Sequence, residues 1–191
     1  MLKEEFKTFW KENFKETIPL NFTFRTTYPN RWLRIHSLPN SKRYPENETE
    51  LAIVLNRQNL VISDIFNENE HIYIVRSEFY IENIEEFDLN QEFNFEEIDI
   101  LNLKEFFNDE YDSDDKLSVQ VSKTNWKKNY FNNLLEDIAN DVSMIFFVSI
   151  NEPTIFAPYD GGMDIIYQNE FKRNHFKEKY RDYLSERIDG L

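Results

Sequence analysis

Three glycines in 191 residues leave this backbone few places to turn without a side chain in the way, and two of the three are adjacent, in Tyr159-Asp160-Gly161-Gly162-Met163-Asp164. Ile155 and Phe156 precede the pair, and Ile165, Ile166 and Tyr167 follow it. Apolar runs on both sides of adjacent glycines predict a β-hairpin, because glycine supplies the positive φ angles of a two-residue loop. The same scarcity excludes a glycine-rich phosphate loop.

Charge is as unevenly spread as glycine. Glu82 to Asp115 holds fourteen acidic residues against the single basic Lys104, so this segment carries nearly all of the net charge of -14. Ile84, Phe87, Leu89, Phe93, Phe95, Ile98, Ile100, Leu103, Phe106 and Phe107 are threaded through it and need something to pack against. It therefore predicts a folded or partly folded acidic insertion at about 82–115 rather than a solvated tail. The positive counterpart is Thr17 to Pro45, with five basic residues, no acidic one, and prolines at 19, 29, 39 and 45.

Hydrophobic periodicity supplies the remaining elements. Leu2, Phe6, Phe9, Trp10 and Phe14 share one face of an N-terminal helix that ends before Pro19. Arg31 to His36 alternates as a strand, with Trp32, Arg34 and His36 on one side and Leu33 and Ile35 on the other. Asn47 and Glu50 predict a helix N-cap and its reciprocal partner, opening a helix to about Phe66. His71 to Phe79 reads as a strand, Leu117 to Ser122 as a half-exposed one, and Met144 to Ile150 as a buried one. Thr124 is expected to cap a helix carrying Trp126, Tyr130, Leu134 and Ile138, and a last helix presents Phe176, Tyr180, Tyr183 and Leu184. The predicted fold is α+β: one domain over residues 1–191, a largely antiparallel sheet packed with about four helices.

Composition excludes several function classes. With no cysteine there is no disulfide, thiolate metal site or cysteine nucleophile, and a cytoplasmic location is expected. Lysines and glutamates interrupt the first helix, unlike the apolar core of a signal peptide, and no window approaches a membrane span. The acidic balance argues against nucleic-acid binding, which needs a basic footprint, and points to a basic partner.

Candidate sites carry ordinary structural explanations beside the chemical ones. Asp160 and Asp164 flank the hairpin turn and are weak ligands-in-waiting for a hard cation, yet aspartate before glycine is common turn chemistry. Neither a metal site nor a cofactor is assigned. Glu170-Phe171-Lys172 resembles a nuclease constellation only in outline, and Glu170 suits the first turn of a helix. His36, His71 and His175 show no metal-ligand spacing, and no nucleophile elbow surrounds Ser37 or Ser41.

The stretch from Ile145-Phe146-Phe147-Val148 through Tyr159-Asp160-Gly161-Gly162-Met163-Asp164-Ile165-Ile166 to Lys179-Tyr180-Arg181-Asp182-Tyr183-Leu184 resembles the bacterial family called domain of unknown function 3885. The C-terminal third carries the resemblance best. Arg34-Ile35, Arg43-Tyr44 and the helix after them are compatible with the family's N-terminal half. Gly161 and Gly162 stand where members often have a second aspartate and an arginine, so a function resting on that arginine does not carry over. The resemblance implies no known activity. It does imply kinship with components of toxin and immunity neighbourhoods, in which small acidic proteins bind a basic toxin enzyme.

The expectation is a non-enzymatic, immunity-like or regulatory protein-binding module whose face carries Glu96, Glu97, Asp99, Asp112, Asp114 and Asp115. Charge there would steer encounter with a basic protein, and the interleaved phenylalanines would anchor it. The alternative is an enzyme or small anionic-ligand binder with a pocket near Trp32, Arg34, His36 and Arg43. In a third arrangement the acidic segment docks on residues 17–45 of its own chain.

Overall fold

The computed structural model describes residues 1–80, 93–107, 110–187 and 190. The first part of the acidic segment, with Ile84, Phe87 and Leu89, lies outside them. The fold is α+β, with five α-helices and a seven-stranded, wholly antiparallel sheet among the described residues. The helices are α1 (Leu2–Asn13), α2 (Phe24–Thr27), α3 (Glu48–Ile65), α4 (Asn132–Ala139) and α5 (Glu170–Lys179). The strands are β1 (Trp32–His36), β2 (His71–Phe79), β3 (Glu96–Asn102), β4 (Lys116–Asn125), β5 (Ile145–Ser149), β6 (Thr154–Tyr159) and β7 (Gly162–Ile166), in the order β1-β7-β6-β5-β2-β4-β3.

Both faces of the sheet are covered, which explains why β2 and β5 are nearly continuous apolar runs. Ile72, Ile74, Ile145 and Phe147 point into one core with α3 and α4; Tyr73, Val75, Phe146 and Val148 point into the other with α1. On α1, Phe6 stacks on Trp10 and meets Tyr73 edge-on, and Phe14 is fully buried. Each such ring removed from water contributes roughly 1.5–3 kcal/mol.

Several local expectations change. The hairpin forms, with Tyr159 paired to Gly162, but neither Gly161 nor Gly162 takes a positive φ. The left-handed positions belong to Asn40, Ser41, Asn69, Asn129 and Asp141, with Gly190 the only glycine among them in the described residues. Close approach explains Gly162 instead: a Cβ there would lie 2.3 Å from the carbonyl oxygen of Ile35.

The acidic segment supplies β3, a strand absent from the sequence expectation. Ser118, Gln120 and Ser122 of β4 are buried rather than half-exposed. The Ser118 hydroxyl donates to Glu97, and the Gln120 carbonyl accepts from Arg76, whose guanidinium lies against the ring of Phe95. Thr124 caps no helix, because β4 runs to Asn125 and α4 begins only at Asn132. Trp126 instead stacks on Phe131 at 5.3 Å, and Tyr130 is exposed. The Asn47 cap does form, accepting from the Glu50 backbone at 3.0 Å. Glu50 turns its carboxylate to the backbone N–H of Glu46 and to Lys42.

Candidate functional site

Strand pairing brings the candidates of the basic segment onto the hairpin. Arg34 of β1 stands opposite Asp164 of β7. Its Nε and Nη2 donate to Oδ1 and Oδ2 of Asp164 at 2.7 and 2.8 Å. Arg43 Nε donates to Oδ2 of the buried Asp160 at 2.6 Å. The two proposed anion-binding arginines and the two proposed cation-binding aspartates therefore occupy one another. Burial opposes the charge on Arg34, but the hydrogen bonds and charge of Asp164 outweigh it, and the guanidinium is held more firmly protonated. It also lies 4.7 Å from the ring centroid of Tyr159, whose hydroxyl is pushed up chiefly by burial.

Trp32 is half-buried beneath the guanidinium of Arg34. His36, at the end of β1, is 8% exposed. Its carbonyl accepts from Nη1 of Arg57 at 2.9 Å, while its own Nε2 is buried with no hydrogen-bond partner. Burial, reinforced by the charges of Arg34 and Arg57, lowers the imidazole pKa, so the ring is neutral at pH 7. His36, Arg43 and Arg57 line a cleft of about 970 Å³, closed on its other side by Asp182 to Arg187. The sequence expectation omits Arg57, although Asn56-Arg57-Gln58-Asn59 is a polar run within an otherwise apolar stretch of α3 and Arg57 is the only basic residue of that helix.

The acidic candidates gather at the other edge. β1 and β3 are the two outermost strands, so six interstrand steps of about 4.8 Å separate them by roughly 29 Å. Glu96 and Glu97 are exposed on β3; Asp99 is half-buried and pairs with Lys7 of α1 at 2.7 Å. The register shifts between Glu97 and Asp99, a bulge that leaves Ile98 buried against the α1 core. Asp112, Asp114 and Asp115 lie in the turn leading to β4, where the Asp115 carboxylate accepts from the backbone of Asp112 at 2.7 Å.

A ring chain runs beside this turn. Phe22 contacts Phe107, Phe107 contacts Tyr111, and Tyr111 contacts Phe79. Phe22, Phe79, Tyr80, Ile100 and Phe106 are all exposed. A charged, bulged edge strand also discourages pairing with other chains, an ordinary structural reason for carboxylates on β3. Among the described residues the acidic segment meets residues 17–45 through apolar side chains, Ile98 and Leu103 sharing a core with Ile18 and Leu20 and Phe107 touching Phe22, while Arg34 and Arg43 serve the opposite edge.

No group of three or more potential metal ligands occurs among the described residues, and no described helix is long and apolar enough to cross a membrane. The sequence matches the family described as Domain of unknown function (DUF3885) over residues 20–188, nearly the whole chain rather than its C-terminal third. Helix α1 precedes the matched region. No curated protein and no solved structure matches the chain.

Proposed function

The chain belongs to the family described as Domain of unknown function (DUF3885), and we propose that it is a non-enzymatic protein-binding module, immunity-like or regulatory, whose acidic edge receives a basic protein. One observation carries this reading: the edge that bears the exposed carboxylates Glu96, Glu97, Asp112 and Asp114 also bears exposed apolar side chains, Ile100 on β3 itself and Phe79 against Tyr111 of the adjoining turn. Carboxylates attract and orient a cationic partner, and aromatic or aliphatic side chains supply the desolvated anchors in which binding energy concentrates. The guanidiniums of Arg34 and Arg43 are already matched by aspartates, so the opposite edge does not neutralise this one.

The test compares capture of host proteins at low salt by the unaltered chain and by a variant with Glu96, Glu97, Asp99, Asp112, Asp114 and Asp115 changed to their amides. Loss of a basic partner on neutralisation, together with falling association rate as salt rises, supports the reading. Equal capture by both chains sinks it. The comparison is interpretable because the one ion pair removed among the described residues, Lys7 to Asp99, is substantially exposed, and such pairs contribute about 0–1 kcal/mol.

A further inference from the structure

We infer that the cleft between the end of β1, the 38–43 loop, α3 and the 182–187 segment binds the phosphoryl group of a small phosphorylated molecule, with Arg57 as its principal ligand and His36 as a second donor. Arg34 and Arg43, the arginines singled out by sequence, are committed to Asp164 and Asp160. Arg57 is not: no carboxylate among the described residues pairs with it. Its guanidinium lies 3.9 Å from the ring centroid of Tyr183 and spends one N–H on the His36 carbonyl. A guanidinium carries five N–H donors in a rigid fork, so donors remain for a tetrahedral oxyanion. Tyr183 and that carbonyl fix the plane of the fork before any ligand arrives.

His36 gives the independent observation. It lines the cleft, is more than nine-tenths buried, and its Nε2 has no partner. A buried polar nitrogen without a hydrogen bond is costly, and because Nε2 is itself covered, a ligand oxygen would relieve that cost once the ring turns toward the cleft. A neutral imidazole can carry its proton on Nε2 and donate to such an oxygen. The cleft, at about 970 Å³, is at the upper end of small-molecule sites and has room for more than the phosphoryl group. Asp182 and Glu186 also line it, which favours a ligand bearing hydroxyl or amino groups beside its phosphate.

The probe is inorganic phosphate, titrated into the full chain at ionic strength held constant with chloride. Binding is read by calorimetry and by the imidazole resonances of the three histidines, His36 being assigned by its absence in His36→Gln. Saturable binding that moves the His36 resonance and weakens about tenfold or more in Arg57→Gln is expected, the loss of one charge-assisted contact. Absence of saturation, saturation without movement of His36, or unchanged affinity in Arg57→Gln each overturns the proposal. Should Arg57→Gln fail to fold, the His36 resonance of the unaltered chain decides alone: movement to saturation supports the site, and no movement rejects it.

Discussion

Arg34 and Asp164 stand at matched positions of β1 and β7, and their side chains close a two-bond ion pair across 130 positions of sequence. Both side chains are mostly buried, so removing one partner leaves a charge with neither water nor a counter-ion. Asp164→Asn is expected to lower unfolding free energy in urea by about 1–3 kcal/mol. Arg34→Met combined with Asp164→Asn should cost less than the sum of the single changes, because neither residue is then stranded. Additive losses in that cycle would show that the pair is not energetically coupled.

Gly162 is fixed by the oxygen of Ile35, not by its own dihedral angles. An added Cβ would come within 2.3 Å of that backbone atom and 3.1 Å of the Tyr159 hydroxyl. Gly162→Ala is therefore expected to destabilise by about 1–3 kcal/mol, by forcing β1 away from β7. At Gly161 the nearest atoms belong to the side chains of Tyr159 and Arg43, at 3.0 and 3.3 Å, which can give way. Thermal unfolding of the two alanine variants should place Gly162→Ala clearly below Gly161→Ala; the reverse order would contradict this account of the turn.

His36 ties stability to pH. Its folded pKa is lowered by burial and by the charges of Arg34 and Arg57, while the unfolded chain begins to take up its proton as pH falls through about 6.5. Stability from this residue is thus complete above that value, declines as pH falls toward the folded pKa, and is constant below it. Unfolding free energy measured against pH for the unaltered chain and His36→Gln should differ by a constant above neutrality. Below about 6.5 the unaltered chain should lose stability relative to the variant. A difference independent of pH would mean that His36 titrates alike in both states.

Elements whose sequence and burial agree were legible: α1, β1, α3, β2, β5 and the β6–β7 hairpin all follow from periodicity and caps. The parity of β1 was legible too, with Leu33 and Ile35 in the core and Trp32 and Arg34 facing away. β3 was not, because an edge strand need bury only one side, and Glu96, Glu97 and Asp99 mask the alternation around Ile98. Trp126 and Tyr130 mimicked helical spacing with Leu134 and Ile138, although the strand β4 and a turn precede α4. The pairing of Arg34 and Arg43 with Asp164 and Asp160 escaped for a different reason. It depends on which strands are neighbours, and nothing local in residues 31–45 names β7 as the partner of β1.

β1 belongs to the first quarter of the chain, yet among the described residues its only strand neighbour is the last strand, β7. The sheet thus cannot add its outermost member until residues 162–166 have been synthesised and paired with β6. Closing so long a loop carries a large entropic cost before its contacts reward it, which slows folding and makes β1 a late arrival. Until then Leu33 and Ile35 lack the strand pairing that holds them against their core. The nascent protein therefore carries β1 without its strand partner through most of its own synthesis.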